Sequence, residues 1–209
     1  MAINVNPTRM EMTRLKTRLK MAIRGHKLLK DKRDEMVRRF IDLIRRNRVL
    51  RLECENALAL AMERFSSARA EMGNAAIIEA LYYPVRSSVV ETGRQNIMSV
   101  NVPTISLPST DESFDLPYSF AFTSSELDGA VLDLAALLPK LIELAEVEKT
   151  CNMLAEEIEK TRRRVNALEH VMIPEMQESI RYIKMKLDEN ERGSLTRLMK
   201  VKEMLAEKS

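Results

Sequence analysis

The residues of this chain that could do acid–base, nucleophilic or metal chemistry are two histidines and two cysteines, and their spacing disfavours a catalytic site. His26 and His170 lie far apart in the chain, and neither begins an HExxH motif. Cys54 and Cys151 are too few for a disulfide framework or, with such scattered histidines, for a zinc site on one face. No GxxxxGKS/T or GxGxxG loop is present to cradle phosphates. We therefore expect a non-catalytic protein with no catalytic residue, no metal ligand and no cofactor.

Simpler roles are available for all four of these residues. His26 falls on the apolar stripe of a predicted helix, where we expect a hydrogen-bonded interior side chain, and His170 is expected at the surface. Cys54 and Cys151 are expected to be reduced and buried as small apolar residues. A regulatory disulfide is the minor alternative, because we predict that the two cysteines lie at the same level of a paired-helix interior.

The elements that would position these residues are long helices. Charged residues make up 31% of the chain and hydrophobic residues 45%, whereas aromatic residues make up 4%, with only five glycines and seven prolines. This composition is typical of long helices and disfavours β-sandwiches, barrels and nucleotide-binding α/β folds, which need frequent turns. No apolar run approaches the roughly 18 residues of a membrane span, and the first residues do not resemble a signal peptide.

The first predicted domain is a long helix over residues 8–80. Thr8, with Glu11 three residues later, has the form of a capping box, and Pro84 follows the far end. Apolar residues spaced alternately by four and three continue for about seven heptads, which indicates a coiled coil. Its interior residues are predicted to be Leu15, Leu19, Leu29, Met36, Phe40, Leu43, Leu50 and Cys54.

The last predicted domain is a second long helix over residues 126–206. Pro174 is expected to bend it, because proline removes a backbone donor, and Pro139 is a second possible kink. Its apolar stripe is predicted to begin with Leu127, Val131, Leu134, Leu138, Leu141 and Ala145. It continues through the interior residues Leu154, Ile158, Val165, Leu168 and Met172 and ends with Leu195, Leu198, Val201 and Leu205.

Two apolar stripes of this length need a partner surface, and the simplest partner for each is the other. We therefore predict an all-α fold in which the two long helices form an antiparallel two-helix coiled coil. A partly buried ion pair between Arg33 and Glu175 is expected to fix the register, since both residues fall where the seam should lie.

The middle domain, residues 81–125, is predicted to hold a short β-hairpin over about residues 86–103 and an irregular segment. Alternating apolar and polar residues favour strands at Ser87–Glu91 and Ile97–Val102, joined by a turn at Thr92–Asn96. Four aromatic residues then follow in loop-like sequence, and they are expected to plug the end of the coil or to dock another protein of an assembly: Phe114, Tyr118, Phe120 and Phe122.

Several segments of the two arms closely resemble one family. Residues 24–36 read RGHKLLKDKRDEM, residues 156–174 read EEIEKTRRRVNALEHVMIP, and residues 182–192 read YIKMKLDENER. Together with NPTRMEMTRL at 6–15 and RLMKVK at 197–202, they resemble the D subunits of the V-type (A/V-type) rotary ATPases. The segments occur in the expected order along both arms.

The resemblance implies that the coiled coil is left-handed and is the central rotor shaft of an ion-translocating ATPase or ATP synthase. It implies torque transmission between a ring of catalytic and non-catalytic nucleotide-binding subunits and the membrane rotor, which couples ATP synthesis or hydrolysis to proton or sodium transport. The other implied partners are the small F subunit of the stalk and a funnel-shaped subunit on the membrane ring. Neither nucleic acid nor a direct membrane span is implied, and the expected location is the cytoplasmic face of a membrane, within a peripheral complex.

Chain position and the resemblance together assign two contact regions. The end that carries both termini is expected to enter the ring, through Arg9, Arg14, Arg18, Arg24, Lys27, Arg192, Arg197, Lys200 and Lys202. The hairpin end is expected to hold the companion F subunit through apolar residues beyond what one seam can bury, namely Tyr82, Val85, Leu132, Leu137 and Leu144.

The main alternative is a non-rotary coiled-coil scaffold or adaptor, which would also account for heptads without catalytic motifs. A nucleic-acid-binding arm is a weaker alternative. Residues 9–51 hold 16 Lys and Arg against 5 Asp and Glu, but aromatic residues are not interleaved with these charges as single-strand binding requires.

Overall fold

The computed structural model describes residues 6–82, 89–107, 116, 118 and 123–206. Long helices dominate these residues, and a two-stranded antiparallel hairpin interrupts them, so the predicted all-α class with a short hairpin is confirmed. In chain order the elements are α1 (Arg9–Met72), α2 (Asn74–Ala80), β1 (Glu91–Ile97), β2 (Val100–Ser106), α3 (Ser125–Ala167), a π-helical turn (Leu168–Met172) and α4 (Ile173–Ala206).

The two ends of α1 follow from local signals. At its start the hydroxyl oxygen of Thr8 accepts the backbone N–H of Glu11 at 3.2 Å, which confirms the predicted N-cap. At its end the N–H of Gly73 donates to the carbonyl of Arg69 at 3.1 Å, and Gly73 has a φ of 79°. The predicted end of the helical arm near residue 80 is confirmed by α2, but the single continuous helix is wrong, because Gly73 at φ 79° and ψ 162° separates α1 from α2.

Replacing Gly73 by alanine is expected to lower the free energy of unfolding by about 1–3 kcal/mol, because a residue with a Cβ is strained at a φ of 79° and a ψ of 162°. The space around Gly73 is open, so backbone strain alone would cause the loss. Gly25 is the matched control: it also has open space, but it lies inside α1 without a positive φ. Gly25→Ala should raise the free energy of unfolding by up to about 1 kcal/mol. Denaturant melts of the two variants measure both changes in the free energy of unfolding. Equal changes would contradict the conclusion that the backbone of Gly73 requires glycine.

The chain divides into two compact units, and the first combines Met1–Glu35 with Ile158–Ser209. Within it α1 runs antiparallel to the π-helical turn and α4, since Arg9 pairs with Glu191 of α4 whereas His26, further along α1, contacts Glu169 of the turn. Its buried apolar side chains are Leu15, Val165 and Ile183, and the hydroxyl-bearing Thr161 is buried as well.

The second unit is Met36–Glu157, and it contains the rest of α1, most of α3 and the hairpin. Its two long helices are also antiparallel: Arg64 pairs with Asp133 at 2.8 Å, and Arg51, earlier in α1, pairs with Glu148 at 3.7 Å. Fully or nearly fully buried apolar residues form its core: Met36, Cys54, Ala61, Ala68, Leu127, Ala130, Leu137 and Leu154.

The register within the second unit differs from the one predicted for the two cysteines. Glu53 pairs with Lys140 at 3.9 Å, which sets Cys54 beside the Lys140 part of α3. Cys151 lies three turns further along α3, at about 1.5 Å per residue, and shares a groove with Ile44 and Asn47 instead. The two thiols are buried and unpaired, but the prediction that they share one level is wrong.

The predicted stripe of α3 is correct at Leu127, which is buried, but it is wrong from Leu134 to Leu141. Leu134, Leu138 and Leu141 are exposed, whereas the structure buries residues of a different frame. That frame reads Leu127, Ala130, Leu137, Val147, Cys151 and Leu154. The spacing by three and four holds from Leu154 back to Val147, whereas the stretch from Val147 back to Leu137 includes the exposed Lys140. The leucine-rich sequence permits several frames, and only the surface supplied by α1 selects one of them.

A π-helical turn, Leu168–Met172, separates α3 from α4. The N–H of Ile173 donates to the carbonyl of Leu168, five residues back, immediately before Pro174. The widened turn accommodates the proline, whose ring would clash with the carbonyl four residues earlier in a regular helix. The extra residue also rotates the stripe, and Met172, predicted to be interior, is therefore 46% exposed.

Two polar residues on the stripe of the first unit behave differently. His26 is half-buried, and its Nε2 lies 3.2 Å from a carboxylate oxygen of Glu169, as expected for a hydrogen-bonded interior histidine. Arg33 donates from Nε and Nη2 to the carboxylate of Asp34, at 3.0 and 2.7 Å. The predicted pair with Glu175 is wrong, since the described ion pairs of Arg33 include only this neighbouring aspartate. An adjacent carboxylate reaches the guanidinium without the ordering that a cross-helix pair requires.

The hairpin exists, but its turn lies elsewhere than predicted. Residues Thr92–Asn96, predicted as the turn, lie within β1, and Met98 and Ser99 make the turn with φ values of 51° and 73°. The side-chain oxygen of Asn96 accepts the N–H of Ser99 at 3.0 Å and supports this left-handed pair. Gly93 was predicted to lie in the turn, but it lies within β1 and faces Thr104 on β2. A Cβ added at Gly93 would lie 3.3 Å from the Thr104 hydroxyl oxygen, so the glycine permits the close approach of the two strands.

Candidate interaction surfaces

The tip of the first unit is the part of α4 beyond its last contact with α1. Arg9, at the start of α1, pairs with Glu191, and every described residue from there to Ala206 is exposed. The apolar stripe predicted to continue the coil interior therefore faces solvent here, because α1 has no residue left to cover it. The exposed residues are Leu195, Leu198, Val201 and Leu205.

A shallow groove marks the base of this tip. It has a volume of about 510 Å³ and lies between Arg9 and the α4 residues Leu187, Leu195 and Leu198. Because the groove joins an apolar floor to charged rims, it can receive an apolar side chain from a partner with polar neighbours.

All nine basic residues predicted to contact the ring are exposed. Arg9 is paired with Glu191, and Arg14 lies 3.7 Å from Glu11. Among the described residues no ion pair involves the remaining seven, which are Arg18, Arg24, Lys27, Arg192, Arg197, Lys200 and Lys202. Their charge is available to an acidic partner surface, and the attraction would be screened by salt.

The second predicted surface, for the companion F subunit, is only partly exposed. Tyr82 is 69% exposed and Leu132 is 45% exposed, while Leu144 is half-buried. Leu137 is 2% exposed, so its assignment to a contact surface is wrong: it belongs to the buried frame of α3. The prediction for Val85 lies outside the described residues.

Two contacts in the second unit were not foreseen. The N–H of Ile105 on β2 donates to a carboxylate oxygen of Glu146 on α3 at 2.9 Å. The hydroxyl of Tyr118 donates to Asp128 at 2.8 Å, and burial, together with this carboxylate, raises the pKa of the Tyr118 phenol. Nothing local in the sequence signals either contact, because the partners are 41 and 10 residues apart. The predictions for Phe114, Phe120 and Phe122 lie outside the described residues.

The groove around Cys151 does not form a reactive site. Burial, and then the charge of Glu148, raises the pKa of the Cys151 thiol, so the thiolate that would act as a nucleophile is disfavoured. Within the part of the chain that the structure describes, no three His, Cys, Asp or Glu side chains are grouped to hold a metal ion. None of the described helices has the length and apolar character to cross a membrane.

Comparison with known proteins gives a consistent result along the whole chain. The family model for the ATP synthase D subunit matches residues 11–203. A V-type ATP synthase D subunit of Acetivibrio thermocellus is 57% identical, over 99% of this chain and 94% of the relative. Proteins of the same description are 55% identical in Clostridium botulinum, over 100% of this chain and 98% of the relative. In a Thermoanaerobacter species the identity is 53%, over 97% of each chain.

Proposed function

The chain belongs to the ATP synthase D-subunit family, and from this premise we propose that it is the central rotor shaft of a V-type ATPase. As a V-type D subunit it is one component of a multi-subunit complex. In the proposed role it transmits torque between the catalytic ring and the membrane rotor and thereby couples ATP synthesis or hydrolysis to proton or sodium transport.

The observation that carries the proposal is the exposed tip of α4. Leu195, Leu198 and Leu205 are exposed to solvent beside a row of exposed cations. An exposed apolar patch with a charged rim is typical of a surface that another protein covers. Its amphipathic and basic character fits the interior of a ring of nucleotide-binding subunits, where an apolar sleeve would cover the leucines and acidic loops would face the cations.

The paired helices supply the mechanical part of the role. Within each unit, two antiparallel helices have a cross-section without threefold symmetry, so each catalytic site of a surrounding ring would face a different surface. ATP binding and hydrolysis change which surface a site prefers, and the difference in contact free energy drives the next step. Forced rotation of the shaft would run the same cycle toward synthesis.

The partners of this proposal are of three kinds. The catalytic and non-catalytic ring subunits surround the tip, and the small F subunit of the stalk and the funnel-shaped subunit hold the hairpin end. The funnel-shaped subunit in turn contacts the membrane rotor, which places the chain at the cytoplasmic face of the membrane in a peripheral complex.

A reversible cross-link tests rotation directly. Ser194→Cys places a thiol on the exposed tip, and a second cysteine is introduced on the inner surface of the ring. Cys54 and Cys151 are buried, so they should not compete. Oxidation of the assembled complex is expected to lower ATP hydrolysis at least tenfold, and reduction should restore it. The complex that carries Ser194→Cys but lacks the ring cysteine is the control for oxidation itself.

A non-rotary scaffold gives a different outcome. If the shaft only held the ring together, the cross-linked complex would hydrolyse ATP at its original rate. That result, with the cross-link verified on a non-reducing gel, would overturn the rotor proposal.

A further inference from the structure

The hairpin has two edges, and its geometry fixes which backbone groups point out from each one. A two-residue turn makes the flanking residues, Ile97 and Val100, a hydrogen-bonded pair. Pairs then alternate along the ladder, so every second residue directs its N–H and C=O away from the partner strand. On β1 the outward residues are Thr92, Arg94 and Asn96, and on β2 they are Asn101, Pro103 and Ile105.

Independent contacts agree with this assignment. The N–H of Ile105 donates to Glu146 on α3, which is possible only if it points away from β1. Pro103, which has no N–H, lies at an outward position, where it costs the ladder nothing. The side-chain amide of Asn96 donates a hydrogen bond of 2.7 Å to the side-chain oxygen of Asn101. This contact is expected for a pair whose backbone groups do not bond each other, because the side chains of such a pair lie closer together.

The two edges therefore differ in availability. Most of the β2 edge is closed, because Pro103 offers no donor and α3 accepts the donor of Ile105, which leaves only the N–H of Asn101 among its three outward positions. On β1, none of the described hydrogen bonds uses the N–H or C=O of Thr92, Arg94 or Asn96. These residues repeat about every 6.8 Å, which is the spacing of a second extended strand.

The backbone of the open edge is not blocked against pairing, and its protection is limited to the charged side chains of Glu91 and Arg94. β1 has no proline, lysine or bulge, and its register with β2 is continuous from Glu91 to Ile97. Its side chains from Glu91 to Asn96 are exposed and lack the apolar anchors that a docked helix needs. The free backbone is thus the feature available for recognition.

The charge on this edge disfavours a second copy of the chain as the occupant. Symmetric antiparallel pairing of two β1 strands that uses all three outward residues would place Arg94 opposite Arg94. Like charges directly opposite each other are destabilising, so a different strand with a neutral or acidic residue at that place fits better.

We propose that the free edge of β1 binds an extended strand of the companion F subunit, which adds a third strand to the hairpin. The inference rests on the proposed function and names its mode of contact. Backbone pairing along Thr92, Arg94 and Asn96 supplies the recognition, and an acidic or neutral residue of the added strand faces Arg94. Tyr82 is exposed, lies in the same unit and is also predicted from the sequence to contact the F subunit.

Two variants at one position separate backbone from side chain. Arg94→Pro removes an outward N–H while leaving the ladder to β2 intact, as Pro103 does on the opposite strand. Arg94→Ala removes the charge but keeps the N–H. With the purified F subunit, Arg94→Pro is expected to weaken binding by about tenfold or more, since a lost donor and a bulky ring both oppose pairing. Arg94→Ala should stay within about threefold of the original affinity.

Amide hydrogen exchange of the full chain reports whether binding uses this edge. The F subunit should slow exchange at Thr92, Arg94 and Asn96, while inward amides such as Gln95 are already protected by the ladder. Normal binding without protection of these amides, or equal affinity of both variants, would overturn the edge inference and leave the rotor proposal standing. Absence of any binding would contradict the companion contact itself. Concentration-dependent protection of the chain alone would assign the edge to self-association instead.

Discussion

Replacing Leu154 by alanine is expected to lower the free energy of unfolding by about 2–5 kcal/mol, because truncation of a fully buried leucine loses transfer free energy and leaves a cavity. Leu154 is 0% exposed and lies in the seam of the second unit. Leu154→Asp should be more severe, since it buries a carboxylate without a partner. Urea melts followed by circular dichroism at 222 nm would measure the loss.

The neighbouring Asn152 supplies the control for this prediction. It lies two residues away on α3 and is exposed, so Asn152→Ala should change the free energy of unfolding by no more than about 0.5 kcal/mol. A loss below about 1 kcal/mol for Leu154→Ala would show that this position does not lie in a packed interior, and the frame of α3 would have to be reassigned.

Reversing four charges at the tip of α4 is expected to weaken binding of the chain to the catalytic ring by about tenfold to hundredfold. The change converts Arg192, Arg197, Lys200 and Lys202 to glutamate. Exposed ion pairs contribute roughly 0.2–1 kcal/mol each, and about 1.4 kcal/mol corresponds to a tenfold change in affinity. Binding of the purified chain to an assembled ring, followed by surface plasmon resonance at physiological salt, measures the effect.

A second set of four reversals controls for net charge. Lys160, Arg162, Arg163 and Arg164 are also exposed, and their conversion to glutamate changes the net charge by the same amount away from the tip. This control set should bind the ring nearly normally. Raising salt to about 1 M, where charges are screened within about 3 Å, should remove most of the difference between the two sets. Equal losses for both sets would show that diffuse charge, rather than the tip, governs binding.

The helices and the family were predictable because their signals are local or continuous. The capping role of Thr8 depends on Glu11 three residues away, and the heptad stripe of α1 repeats a spacing that any single segment displays. Most of its predicted interior residues are buried or half-buried, with Met36 at 0% exposure. The segments that resemble the V-type D subunits are likewise contiguous stretches.

Errors occurred where the answer depends on residues far apart in the chain. Leu137 was predicted as a contact residue and Leu138 as interior, yet the structure buries the first and exposes the second. Both are leucines, and each satisfies a helical spacing, so only contact with α1 distinguishes them. The prediction that Cys54 and Cys151 lie at the same level was wrong for the same reason, because the offset between two antiparallel helices depends on the packing surfaces of both helices.

By itself the sequence determined that this chain is helical, that its arms carry apolar stripes and that it belongs with the V-type D subunits, because periodicity, caps and motifs are properties of neighbouring residues. Only the tertiary structure decided the register of the paired helices, the frame of α3, the turn at Met98 and the open edge of β1. Each of these depends on which distant surface covers a residue, and that choice is made by packing and by the hydrogen bonds that packing permits.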